Sequence, residues 1–231
     1  NNLIDYTHSF GKRFKVGVGV ELSSVSMTTT DLTRSVSQRI PDIPAFVQYN
    51  WSDGDGWLRF SALMRNIQYR DLVADKNRNK TCWGIKLSGS TPIGATPLQA
   101  YYQAAYGRGI GGYIQDLAGL GLDLSPGAGA PGRLDAVKAW GAYAGLQYTF
   151  SEKFLASVSY SQARAYAKGY SAGSTPWNEQ YKYAQYVSAN IFYTILPGLQ
   201  CGVEYLYGRR VDMDGMSRSD NRINTMLQFS F

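Results

Sequence analysis

From Ile223 to the end of the chain, one parity is apolar and the other almost wholly polar. Ile223, Thr225, Leu227, Phe229 and Phe231 share one parity, and Arg222, Asn224, Met226, Gln228 and Ser230 share the other. A period of two is the spacing of a β-strand with two different faces. A chain that stops on an aromatic residue inside such a strand has the ending of an outer-membrane β-barrel, whose last strand pairs with its first. Phe229 and Phe231 are therefore candidates for a C-terminal assembly signal.

The alternation recurs upstream and predicts eleven strands, at 1–10, 12–26, 42–51, 56–70, 80–91, 98–108, 136–150, 154–168, 181–194, 199–211 and 220–231. Counting back from a periplasmic C-terminus assigns a side to every link. Gly11-Lys12, Ser52 to Asp55, Pro92 to Pro97, Ser151 to Lys153 and Leu196 to Gly198 are short and fall on the periplasmic side. The links at 27–41, 71–79, 109–135, 169–180 and 212–219 are the longer ones and fall outside, those at 169–180 and 212–219 being polar. Segregation of link lengths to two sides is the habit of outer-membrane barrels. Aromatic residues crowd the short turns: Phe10 and Phe14, Tyr49, Trp51 and Trp57, Tyr148, Phe150 and Phe154, Phe192 and Tyr193. Rings suit the headgroup level, where one edge is dry and the other wet.

The expected fold is an all-β antiparallel transmembrane barrel, with residues 1–231 as a single domain. Barrels with both termini in the periplasm have even strand numbers. An odd count makes this chain the expected C-terminal part of a larger barrel, and a start at Asn1 reads as a processed or truncated product.

Composition agrees. Aromatics make up 14% of the 231 residues, with Tyr present 18 times, yet mean hydropathy is -0.28. No run approaches the roughly 20 apolar residues of a transmembrane helix. The net charge of +6 comes from Lys and Arg spread along the chain, without the basic, aromatic-interleaved stretches of a nucleic-acid binder. Cys82 and Cys201 fall on opposite strand parities, which disfavours a disulfide. The single histidine, His8, has outward parity near a short turn, so a His-based catalytic site has nothing to build on. No metal-ligand spacing is present, and neither an enzyme nor a cofactor is expected.

Arg39-Ile40-Pro41-Asp42-Ile43-Pro44-Ala45 opens one strand, and Arg108-Gly109-Ile110-Gly111-Gly112-Tyr113-Ile114-Gln115-Asp116-Leu117 opens the longest link. Together with the Phe-terminated strand, these stretches resemble the DcaP-like porins, trimeric outer-membrane channels of Gram-negative bacteria that pass small organic anions. The resemblance implies a barrel of about sixteen strands, with roughly the N-terminal third, and the family's periplasmic coiled coil, outside this chain.

If the apolar parity meets lipid, the other parity lines water. Arg13, Lys15, Arg59, Arg65, Lys86, Lys182, Arg210 and Arg222 then point inward against Glu21, Asp42 and Glu204, and Arg108 stands at the root of the longest link. Cations in a narrow aqueous pore raise the local concentration of anions. The expected function is passive diffusion of small, preferentially anionic solutes. The 109–135 link is the expected constriction, with Tyr113, Gln115 and Asp116 as its candidate residues. Tyr113, Ile114, Leu117, Leu120 and Leu124 recur at helical spacing, predicting a short helix folded into the barrel before the Pro126–Pro131 stretch. Expected partners are the bilayer with its lipopolysaccharide, small anions, and two further copies in a homotrimer. Ala100, Ala104, Ala142 and Ala144 on the outer parity suit either a protomer or lipid. The competing reading is a structural or adhesive barrel with a closed lumen.

Overall fold

The computed structural model describes residues 3–51, 55–127, 131–168 and 179–230. Its main element is an antiparallel meander of long strands: β1 (Leu3–Phe10), β2 (Phe14–Glu21), β4 (Ile43–Trp51), β5 (Gly56–Asp71), β6 (Lys76–Pro92), β7 (Leu98–Arg108), β10 (Lys138–Ser151), β11 (Phe154–Tyr166), β12 (Tyr181–Leu196), β13 (Leu199–Asp212) and β14 (Ser217–Phe229). Each pairs with the next in that order. A short β3 (Thr33–Ser35) adds to β5, and β8 (Leu124–Pro126) pairs with β9 (Leu134–Ala136) in a separate hairpin. All eleven expected strands are present. β1 and β14 are not paired with each other, so the sheet is open.

Local chemistry accounts for the strands. In β5, Leu58, Phe60 and Met64 are exposed on one face, while Arg59, Ser61 and Arg65 alternate with them on the other. Such a strand gains nothing from burial on its outer face in water and is built for lipid there. The β12–β13 turn places Pro197 before Gly198, whose φ of +85° only glycine adopts without strain.

Link lengths segregate less cleanly than the alternation suggests. The links at 22–42 and 109–137 are long, but those at 72–75 and 213–216 are tight hairpin turns, because β5, β6, β13 and β14 run further than their hydrophobic pattern does; most of the expected 169–180 link lies outside the described residues. Positions such as Asn77 and Arg218 extend the ladders with polar side chains.

Two apolar clusters lie on the inner face of the sheet, at the end that carries the long links. One gathers Ile110, Ile114, Leu117 and Leu122 against Ala139, Ala163 and Ala184, and the other gathers Leu124 and Leu134 against Ile67, Tyr69 and Cys82. The core is therefore the seat of the 109–137 link.

Candidate functional site

Cross-strand partners share a face, so the register identifies which side chains share the inner wall. One rank runs Lys15, Gln48, Arg59, Ser88, Gln103, Tyr143, Ser161 and Tyr186, from β2 to β12. It is polar throughout, as a wall against water requires. Arg59 donates from Nε to Gln48 Oε1 at 2.7 Å and lies 4.2 Å from the Phe46 ring centroid. Arg59 makes no ion pair among the described residues.

The next two ranks toward the long links change character. One reads Lys86, Ala105, Gly141, Ala163 and Ala184, the other Gly84, Gly107, Ala139 and Ala165. Beyond Lys86 these positions carry only Gly and Ala, and the space so left is filled by the link. A Cβ on Gly84 would come within 2.9 Å of Ile110 Cγ2, and one on Gly141 within 3.0 Å of Ile114 Cγ2. The link enters this bed through Gly109, whose φ of +70° turns it inward over Cys82. It forms two 3-10 turns, Gly111–Tyr113 and Gln115–Leu117, and no α-helix. The expected helix is replaced because Gly111, Gly112 and the paired segment around Leu122 favour close backbone docking over a continuous turn: Met27 bridges Leu122 and Leu124, and Asp123 N donates to Ser26 O at 2.9 Å. Ile114, Leu117 and Leu124 are buried as their spacing suggests, whereas Tyr113 and Leu120 are exposed.

The link is pinned by a buried charge. Arg65 is 1% exposed. Its Nε donates to Asp42 Oδ2 at 2.9 Å and its Nη1 to Asp123 Oδ1 at 3.1 Å. Nη1 also donates to Gly109 O at 2.6 Å, and Nη2 to Ser24 O at 2.9 Å. Tyr113 caps the group, with Arg65 Cζ 4.9 Å from its ring and its hydroxyl donating to Asp42 at 2.8 Å and Glu21 at 3.0 Å. Burial holds the Asp123 carboxyl above the usual carboxylate range, against the opposing pull of Arg65 and the amides of Ser26 and Gly112. Burial and the bond to Asp42 likewise push the Tyr113 phenol up. One cation thus joins the root of the link, its far side and the neighbouring 22–42 link to the barrel wall.

This corrects two expected pore cations. Arg65 has inward parity but no surface to offer a pore, because two carboxylates and two carbonyls enclose it. Arg108 faces outward, in the rank Trp83–Arg108–Lys138, as strict alternation from Ala100 and Ala104 requires. The others vary. Arg210 is inward but bonds Asp212 at 2.8 Å, and Arg222 is inward opposite Leu206. Lys182 sits at a register shift between Tyr181 and Tyr183, where Tyr181 turns in to donate to Asp116 Oδ2 at 3.2 Å. Arg13 lies in the exposed β1–β2 turn. Gln115 is exposed on the link. Cys82 faces inward and Cys201 outward, both unpaired. Phe229 faces outward opposite Leu199, while Phe231 lies outside the described residues. Asp123 and Ser24 were invisible in the sequence as partners of Arg65; the run of inner Gly and Ala positions was the available signal for a seated link.

Between Arg59, Lys86 and the underside of the link lies a cavity of about 440 Å³, with Asp5, Glu21, Phe46 and Tyr113 on its walls. Among the described residues no His, Cys, Asp and Glu group is arranged to hold a metal ion.

A family model described as the porin subfamily matches residues 1–228. No curated protein sequence matches the chain. The outer membrane channel DcaP of Acinetobacter baumannii superposes with a TM-score of 0.78 at 22% identity, over 99% of this chain and 62% of the other. An anion-selective porin from Comamonas acidovorans superposes with a TM-score of 0.54 at 12% identity, over 99% and 58%. This chain therefore spans less than two thirds of either structure, and the likeness is one of fold.

Proposed function

The chain belongs to the porin family, and from that premise we propose that it forms most of the wall of a passive channel for small, preferentially anionic solutes. Its place is the bacterial outer membrane. In this reading the open edges of β1 and β14 are joined by further strands into a closed barrel of about sixteen, assembled as a homotrimer. The seated 109–137 link narrows the lumen, and solutes pass its exposed face, where Tyr113 and Gln115 stand.

The observation that carries the anion preference is Arg59, a lumen cation without an ionic partner among the described residues, with Lys86 diagonal to it on the next strand and rank. Cations beside a constriction act where field lines are focused by low-dielectric walls, so few are enough. Asp5 and Glu21, which line the same cavity, oppose them, which makes the preference a measurable difference rather than exclusion of cations.

The test is the reversal potential of the full-length protein in planar bilayers under a salt gradient. The expected result is anion preference that falls in Arg59→Gln and falls further when Lys86→Gln is added. Cation preference in the parent protein would overturn the reading, and a protein that conducts nothing would favour the closed structural barrel.

A further inference from the structure

The outer surface carries a feature that solute passage does not use. Arg108, Lys138 and Arg164 lie on the adjacent strands β7, β10 and β11, in two consecutive outward-facing ranks, Trp83–Arg108–Lys138–Tyr166 and Tyr106–Trp140–Arg164–Tyr183. All three are near the strand ends that carry the long links, which is the outer-leaflet side. Outward cations are unfavourable in lipid and become tolerable only near the headgroups. Three together repel one another unless an anion joins them. None has a carboxylate partner among the described residues.

Their surroundings hold them in place. Lys138 Nζ lies 5.5 Å from the Tyr106 ring and 5.0 Å from the Tyr166 ring, and Arg164 Cζ lies 4.8 Å from Tyr166. Trp140 Nε1 donates to Tyr166 Oη at 3.4 Å. No protein acceptor among the described residues meets Arg164 Nε. Directly toward the membrane centre, two adjoining apolar hollows of about 290 and 320 Å³ share Leu87, Ala104, Trp140 and Ala142 as lining. Alanines form their floor and rings their sides.

We propose that this surface binds one phosphorylated, acylated lipid of the outer leaflet. Its phosphate sits among Arg108, Lys138 and Arg164, and its acyl chains lie along Ala104 and Ala142. The charge is complementary, the donors are unused, and the apolar hollows continue from the basic cluster in the direction the chains must take.

The experiment uses the whole protein extracted from outer membranes in mild detergent, with native mass spectrometry to count retained phosphorylated lipid. The parent should retain it. Removal of each cation by Gln should weaken retention about fivefold, so that the triple variant retains almost none while its bilayer conductance is unchanged. Ala104→Trp fills the floor with the charges intact and should lower retention as well. Heat-modifiable electrophoretic mobility checks that each variant is folded. Equal lipid retention by the parent and a folded triple variant would overturn the proposal. So would a triple variant that loses protomers but keeps its lipid, since the surface would then meet a second copy. Thermal stabilisation by inorganic phosphate alone, with no lipid retained, would reduce the site to an anion site and also overturn it.

Discussion

Replacing Arg65 by Met keeps much of the side-chain volume and removes the charge that ties the 109–137 link to the wall. Asp42 and Asp123 are then left facing each other without a cation, and breaking a buried pair in this way costs roughly 3–5 kcal/mol. The link has other anchors. Leu117, Leu122, Leu124 and Leu134 are all 0% exposed, and each full burial contributes about 1.5–3 kcal/mol, some 6–12 kcal/mol together as an upper bound. The apolar seat therefore exceeds the loss, and the link is expected to open more often rather than to leave. At about 1.4 kcal/mol per decade, 3–5 kcal/mol raises the open population by roughly two to three and a half orders of magnitude. Cys82 reports this directly, because it is 0% exposed beneath the link, packed with Leu124 and Leu134. In a Cys201→Ser background, alkylation of Cys82 by a maleimide should accelerate by that factor, with the barrel still folded. Adding Asp42→Asn and Asp123→Asn should restore most of the protection, since the uncompensated carboxylates are the source of the penalty. Alkylation of the Arg65→Met variant within twofold of the parent rate would refute the latch.

Three further outcomes follow from the same geometry. Gly141→Leu forces Ile114 off its bed, and should raise single-channel conductance and its noise at unchanged selectivity; an unaltered conductance would mean that the link does not narrow the pore. Tyr113 and Asp123 both have raised proton affinity in the seated link. For Tyr113, seating is at full strength below the ordinary phenol value of about 10 and weakens as the pH rises past it. Cys82 protection should accordingly fall above about pH 10 in the parent and not in Tyr113→Phe, and an equal loss in both would contradict the sign. Finally, Gly109→Val sets a β-branched residue at φ +70° against Cys82 and should expose Cys82 as strongly as the Arg65 variant, measured by the same alkylation.

The sequence by itself determined the strands, their order and their faces. Strand alternation is a local property, written in each residue and its second neighbour, so Leu58, Phe60 and Met64 declare an outer face without knowledge of any partner. The same alternation contained the outward parity of Arg108, which reading it as the root of a link obscured. What the tertiary structure alone decided is how the inner face is used. Parity can say that Arg65 points inward, but not that Asp123, 58 residues away, meets it there. Helical spacing in 113–124 records which residues are apolar, but the backbone followed the Gly and Ala bed on β6, β7, β10 and β11 and folded as two tight turns. Inside a barrel, a side chain's surroundings come from a link that enters from elsewhere, and that contact leaves no periodic trace in the strand. A lone cation therefore reads as a pore charge in the sequence and becomes, once Gly109 turns the link inward, the bolt that holds it.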